Sequence, residues 1–310
     1  MIKIYDFSKA QLSSRNLQYA GRAGEKRGIL IDNEYWFLKF PKNTIGMNKV
    51  NGISYVTSPL SEFIGSHIFQ ILGFDVHETR LGIYNDGKRT KVVCACKDFI
   101  NNDNNEILIP YTALRNDTDI VLMDRFNDSF KTASNLNEIL FQLEHNTVLK
   151  NIKNISAHFW DIVIVDYLIN NNDRNEDNWG VIKYKKENKY ELAPVYDCGN
   201  SFYGKTSDER IHEILFNNEK LISSSINVVT AYEDDKGERY SAMRLINLKN
   251  DDLLEAKIRI TTLINKHMVE IEKLVNDIPE EFNGLQIISK ERKQYYLETI
   301  KLRIKALKNC

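Results

Sequence analysis

The sequence predicts an α+β chain in two lobes, a small β-rich lobe over residues 1–98 and a larger, mostly helical lobe over residues 99–310. Three observations predict it. Alternating and β-branched runs joined by turn signals cluster before residue 98 and flank one amphipathic helix. Beyond the Asn-rich stretch Asn101–Asn105 the periodicity becomes chiefly helical. At 310 residues the chain is long enough to bury two separate cores.

The first lobe begins with the loop RNLQYAGRAGEKRG, in which Gly21, Gly24 and Gly28 surround Lys26. A short strand, Gly28–Asp32, and the turn Asp32-Asn33-Glu34 lead to a second strand, Tyr35–Phe40. Alternation puts Tyr35, Phe37 and Lys39 on one face and Trp36, Leu38 and Phe40 on the other. Glycines ahead of a strand pair can offer bare backbone N–H groups to a phosphate chain, and Lys39 would project toward the same phosphates. A surface hairpin with an exposed lysine fits this segment too. The helix that follows has Ser58 to cap it, Pro59 in its first turn and Gly73 at its end. Leu60, Phe63, Ile64, Ile68, Ile71 and Leu72 make its apolar stripe, with Glu62 beside the stripe. Strands Thr79–Tyr84 and Thr90–Ala95 join through Asn85-Asp86-Gly87. The segment Cys96-Lys97-Asp98-Phe99 then crosses to the second lobe, its backbone suited to an adenine edge.

From Ile107 to Lys150 the pattern reads as loop and then helix, periodic over Leu136–Leu143. Residues Ile155–Ile169 are apolar on nearly all sides and predict a buried helix, with His158 as a packed core histidine. This helix leads directly into NNNDRNEDNWG. A strand pair, Trp179–Tyr184 and Tyr190–Ala193, brings the chain back to PVYDCGNSF. The remainder reads as helical: Leu253–Val275, stopped before Pro279, and Lys290–Lys308, capped by Ser289 and basic on its exposed, solvated face.

The chemistry concentrates at Asp173, at Asn178 five residues later and at Asp197 beyond the hairpin. Phoshoryl transfer uses this spacing: one aspartate takes the acceptor hydroxyl's proton, while the asparagine and the distant aspartate hold Mg²⁺ against nucleotide phosphates. An Asp-x4-Asn match alone is a weak signal, because Asn and Asp crowd any polar loop. Its weight comes from order: glycine loop, lysine strand, glutamate helix, then the three acidic and amide positions. In that order Glu62 is placed to hold Lys39 against the phosphates.

With 42% hydrophobic and 27% charged residues, the composition is that of an ordinary globular protein. A net charge of −1 argues against a dedicated nucleic-acid binder. No apolar run reaches membrane-span length, and the start lacks the pattern of a signal peptide. Cys94, Cys96, Cys198 and Cys310 suggest neither a disulfide framework nor a four-ligand zinc set, and a reducing cytoplasm is the natural setting. Secretion as an effector by a route without a classical signal peptide is compatible with this reading.

The stretches GRAGEKRG, YWFLKFPK, SEFIGSHIFQILGF, VVCACKDF, LINNNDRNEDNWG and LAPVYDCGNSF, in this order, resemble the HipA-like serine/threonine kinases in a short form. The likeness covers roughly residues 20–205; beyond Phe202 it extends only to a helical large lobe. It implies a two-lobed, protein-kinase-like fold and ATP- and Mg²⁺-dependent transfer to a protein hydroxyl. By that resemblance Lys39 is the phosphate-binding lysine and Glu62 its partner, Asp173 the catalytic base, and Asn178 and Asp197 the metal ligands. Gly21, Gly24 and Lys26 fall on the phosphate loop, and Cys96, Lys97, Asp98 and Phe99 on the adenine-contacting hinge. It further implies self-phosphorylation, with Ser13 and Ser14 as candidates just before the glycine loop. Its implied role is the toxin of a toxin–antitoxin pair or a bacterial effector, with an antitoxin or a host protein as partner. Asn175 stands where the family often has histidine, and Asn172 where conventional protein kinases have arginine, which removes control through an activation-loop phosphate. The extra N-terminal subdomain of full-length HipA toxins has no counterpart expected here. Two other readings stay open: a lipid or small-molecule kinase, and a nucleotide-binding regulatory module without turnover.

Overall fold

The computed structural model describes residues 1–15, 26–41, 57–100, 105–115 and 134–309. In chain order the first strands are β1 (Tyr5–Asp6), β2 (Gln11–Leu12), β3 (Lys26–Ile31), β4 (Glu34–Lys39), β5 (Thr79–Asn85) and β6 (Thr90–Lys97), with helix α1 (Ser58–Ile71) between β4 and β5. Next come β7 (Glu106–Pro110), α2 (Tyr111–Leu114), α3 (Leu136–His145), α4 (Ile155–Ile169), β8 (Gly180–Tyr184) and β9 (Lys189–Leu192). The last part holds α5 (Asp208–Leu215), α6 (Asn218–Ile226), β10 (Val229–Glu233), β11 (Arg239–Ser241), α7 (Ala242–Ile246), α8 (Asp251–Asn276), β12 (Glu281–Phe282), β13 (Leu285–Gln286) and α9 (Lys290–Lys308). The chain forms two compact units. The first comprises Met1–Phe99, Asp197–Ser225 and Lys266–Leu302, the second Ile100–Tyr196, Ile226–Asn265 and Arg303–Cys310.

In the first unit six strands form one sheet in the order β1-β5-β6-β4-β3-β2. The β3–β4 turn puts Asp32 and Asn33 at φ of 53° and 62°, the left-handed pair a two-residue hairpin requires and that Asp and Asn tolerate. The alternation expected in β4 holds: Trp36, Leu38 and Phe40 pack with Ile29, Val93 and Ala95 in one cluster, leaving Lys39 on the other face. Helix α1 has Thr57, not Ser58, at its N-cap, and neither side chain caps it. The Thr57 hydroxyl is turned instead toward Tyr296 Oη at 3.3 Å, and Pro59, lacking an N–H, lowers the number of donors to be capped. Gly73, at φ 89°, ends the helical segment as expected. The buried face is wider than the sequence stripe: Pro59, Ser61, Glu62, Gly65 and Ser66 are buried too, whereas Ile71 is half-buried.

In the second unit α4 occupies Ile155–Ile169 as expected and buries Phe159, Trp160, Val163, Ile164 and Leu168. It ends at Asn170, whose left-handed backbone (φ 54°, ψ 46°) turns the chain into the Asp173 loop. The expected β8–β9 pair is present, but with a third strand: residues Glu106–Pro110, read from sequence as loop, pair antiparallel with β8. A Cβ at Gly180 would collide with the Ile109 carbonyl, so bare backbone is required where β7 meets β8. The expectation of an all-helical remainder also needs correction. Val229–Glu233 and Arg239–Ser241 form a hairpin around Gly237, at φ 80°. Ser289 does cap α9, its Oγ accepting from the Arg292 N–H at 3.2 Å. No helix among the described residues is long and apolar enough to cross a membrane.

Candidate active site

Strand β4 and helix α1 bring Lys39 and Glu62 together inside the first unit. Lys39 Nζ lies 2.8 Å from Glu62 Oε2 and 2.9 Å from Asp197 Oδ1. Glu62 is wholly buried, and its other oxygen takes His77 Nε2 at 3.0 Å. Burial opposes charge on Lys39, Glu62 and Asp197, and pairing overcomes it. Asp197 and Glu62 hold the lysine well above its usual range; Lys39 and the His77 hydrogen bond hold Glu62 well below the carboxylate range. Lys39 likewise lowers Asp197, against both burial and the repulsion of Glu62. The cluster is therefore ionised throughout the neutral range, with two carboxylates on one ammonium.

Asp197 is built to present its carboxylate. Its φ of 59° is the left-handed conformation, uncommon outside glycine and tolerated by Asp. Its side chain keeps 31% of its exposure, and only one oxygen is engaged by Lys39 among the described residues. Gly199, two residues on, is needed for close approach: a Cβ there would stand 3.1 Å from Glu62 Oε2, the oxygen that takes the lysine. Gly199→Ala is expected to displace that carboxylate at a stability cost of about 1–3 kcal/mol. Gly204→Ala, crowding Thr57 Oγ1 at 3.3 Å, is the control. Melting curves should shift similarly for both, while phosphoryl transfer should fall much further in Gly199→Ala; equal losses would deny Gly199 its place beside the cluster.

The remaining expected nucleotide contacts of this unit are placed unevenly. Gly21 and Gly24 lie outside the described residues. Lys26 is not in a loop but is the first residue of β3, paired in register with Lys39. Its ammonium sits 5.7 Å from the Phe37 ring centroid and adds to the positive field on Asp197. In the hinge, Cys96 and Lys97 still belong to β6, and the Cys96 side chain is buried. The Lys97 N–H donates to Glu78 O and the Asp98 N–H to Tyr35 O, both at 2.9 Å, so neither donor is left for an adenine. Asp98 also pairs with Arg15, whose guanidinium lies 3.5 Å from the Tyr35 ring centroid.

In the second unit Asp173 is held from three sides. Asn175 Nδ2 donates to its Oδ1 at 3.2 Å, Asn178 Nδ2 to its carbonyl at 2.6 Å, and its own N–H donates to Asn171 Oδ1 at 3.3 Å. Asn175 thus supplies a donor to the carboxylate from the position where the family often has histidine. The amide nitrogen of Asn178 being engaged, its oxygen is the atom left to serve as a ligand. Sequence reading missed what fixes this loop. Arg174, 3% exposed, makes a two-pronged pair with Asp166 of α4, at 2.8 and 3.0 Å. It also donates to the carbonyls of Asn178, at 3.0 Å, and Tyr196, the residue before Asp197. Its signal was Asp166 on the last turn of a mostly apolar helix, with an arginine beside the candidate base. Removing one partner of a buried pair is expected to cost about 3–5 kcal/mol, so Arg174→Met and Asp166→Asn should each lower the melting temperature strongly. His158 is half-buried beside a small apolar cavity lined by Phe159, Trp179, Leu192, Pro194 and Tyr232, and burial holds its pKa down.

In sequence and fold the chain resembles a serine/threonine-protein kinase, with Lys39, Glu62 and Asp197 gathered in its first unit. No family model matches the chain. It is similar to the serine/threonine-protein kinase CtkA of Helicobacter pylori, at 29% identity over 277 residues, covering 88% of this chain and 79% of CtkA. The crystal structure of that proinflammatory kinase superposes with a TM-score of 0.82 at 25% identity, over 99% of this chain and 98% of the other. HipA of Shewanella oneidensis, solved with HipB and operator DNA, gives a TM-score of 0.50 at 12% identity over 94% of this chain and 65% of that one, a likeness of fold alone.

Proposed function

We propose that this chain transfers the γ-phosphate of ATP to a serine or threonine hydroxyl of a protein. The observation that carries the reading is Lys39 set between Glu62 and Asp197, at 2.8 and 2.9 Å. Lys39 would hold the nucleotide phosphates, with Glu62 fixing its position. Asp173 would accept the acceptor's proton, its carboxylate oriented by Asn175. The oxygens of Asn178 and Asp197 are hard donors, the kind Mg²⁺ prefers, and the motif assigns the metal to them. Mg²⁺ would neutralise charge on the phosphates. We read residues 1–98 as the lobe of the phosphate loop and nucleotide-binding strands, and 99–310 as the helical lobe that carries the catalytic and metal-binding loops.

The likeness to CtkA, a kinase described as proinflammatory, supports the reading of an effector with a host-protein partner, beside that of the toxin of a toxin–antitoxin pair. Incubation of a whole-cell lysate with labelled ATP, followed by separate analysis of protein and lipid, tests the acceptor class. Label is expected on serine and threonine of protein. Label in lipid alone would make the chain a lipid kinase, and nucleotide binding without any label would make it a regulatory module.

Self-phosphorylation would fall on Ser14 rather than Ser13. Ser13 is buried and its Oγ accepts from the Arg15 N–H at 3.0 Å, whereas Ser14 is exposed. A phosphate there adds about two negative charges beside the phosphate-binding strands and should inhibit. Mass spectrometry of the peptide carrying both serines, after incubation with Mg²⁺–ATP, should find the phosphate on Ser14; an unmodified peptide would refute the prediction.

A further inference from the structure

The pairing that positions Lys39 has further buried neighbours whose side chains are assigned no contact with nucleotide, metal or acceptor. Strand β6 sends Val93 and Ala95 into the Trp36–Leu38 cluster, so Cys94 and Cys96 face the opposite side, where their register partners on β4 are Lys39 and Phe37. There Glu62, His77 and Cys96, all buried, each bring a ligating atom within 4.8 Å of the other two. His77 uses Nε2 toward Glu62 Oε1, at 3.0 Å, and Ser66 Oγ, at 3.3 Å. Its Nδ1 is buried with no hydrogen-bond partner among the described residues, a condition rare in native interiors.

We propose that Glu62, His77 and Cys96 form a site for a thiophilic divalent cation of the Zn²⁺ class, and that filling it switches the enzyme off. The consequence for activity rests on the kinase reading above; the site itself does not. Carboxylate, imidazole and thiolate are the ligand types Zn²⁺ takes, and Cys94, on the same face of β6, is the candidate for a fourth ligand. Mg²⁺, which prefers oxygen, would not compete well for the same donors. The charges also balance. Lys39, Glu62 and Asp197 together carry one net negative charge. Zn²⁺ entering as the Cys96 thiol releases its proton to solvent adds two positive charges and one negative, giving zero. No electron transfer is involved: one S–H bond breaks and metal–ligand bonds form. Glu62 cannot ligate the metal and hold Lys39 with the same strength, so Lys39 falls to Asp197, the carboxylate assigned to Mg²⁺.

Co²⁺ serves as the probe, because a thiolate bound to it gives a charge-transfer absorption that does not depend on activity. The full chain without nucleotide should show this absorption, saturating at one metal per chain. Cys96→Ser should abolish it, His77→Gln should weaken it, and Cys198→Ser should keep it, with melting curves confirming that each variant is folded. No absorption in the unsubstituted chain, or absorption that survives Cys96→Ser, would overturn the site. With Co²⁺ or Zn²⁺ bound, transfer should fall on the order of a hundredfold, as when one preorganised electrostatic group is lost, and chelation should restore it. Unchanged transfer at full occupancy would overturn the switch. A chain that binds Co²⁺ through Cys96 but transfers no phosphate when metal-free apart from Mg²⁺ would keep the site and refute the kinase reading.

Discussion

Lys39→Met and Glu62→Gln are each expected to lower phosphoryl transfer by about 10²–10³, and the double variant to be hardly worse than either. The reason lies in how the charges are shared. Lys39 touches Glu62 at 2.8 Å and Asp197 at 2.9 Å, so the two carboxylates compete for one ammonium. Glu62 is the buried member, held in place by His77, whereas Asp197 keeps part of its exposure. Take away the Glu62 charge and Lys39 moves wholly to Asp197, tying up the group assigned to the metal. Take away the lysine and Glu62 has nothing to position, while two like charges are left without their counterion. Either loss disables the same unit, so the effects should not multiply. Steady-state rates of the four proteins, with circular dichroism to confirm folding, measure this directly. Independent, multiplying losses would mean that the glutamate acts on stability alone and the lysine without it.

How much of this was legible from sequence depends on whether the signal is local. The alternation of β4 and the full-length apolar character of α4 are local, and both elements fall where expected. Strand β7 escaped because Glu106–Pro110 is short and becomes a strand only through β8, far along the chain. The β10–β11 hairpin escaped because its strands, five and three residues long, stand between the helices Asn218–Ile226 and Ala242–Ile246. Thr57 rather than Ser58 stands at the N-cap, and its hydroxyl serves a tertiary contact with Tyr296 instead of the helix, which no helix rule describes. The charged site shows the same division. Lys39 and Glu62 could be named from segment order. His77 and Gly199 could not, since their importance is a 3.0 Å contact in one case and the absence of a Cβ in the other. Asp166 and Arg174 stood in plain view, but a buried pair between a helix and the loop that follows it is visible only once the helix is known to be enclosed.

Asp173→Asn and Asp197→Asn are expected to fail in different ways, and the difference separates a kinase from an inert nucleotide binder. Asp173 is assigned to the acceptor hydroxyl alone; its loop is held by Arg174 and Asn178, and the one hydrogen bond to its carboxylate, from Asn175, is one that an asparagine oxygen also accepts. Asparagine there should leave the loop and nucleotide binding intact and remove only the base. A ligand at a hundredfold excess over its dissociation constant stabilises the folded state by about 2.7 kcal/mol. For a chain of this size that is a rise of at least a few degrees in melting temperature. The unsubstituted chain and Asp173→Asn should both show that rise with Mg²⁺–ATP, and Asp173→Asn should transfer no phosphate. Asp197→Asn should lose most of the rise, because the phosphates would lose the carboxylate assigned to their metal while Lys39 keeps only Glu62. The two carboxylates cannot be exchanged in this scheme. If Asp173→Asn abolished the rise and Asp197→Asn kept it, their roles would be reversed. If the unsubstituted chain showed the rise yet labelled no protein, lipid or small molecule, the ionised cluster would be a nucleotide-binding device and not a catalytic one.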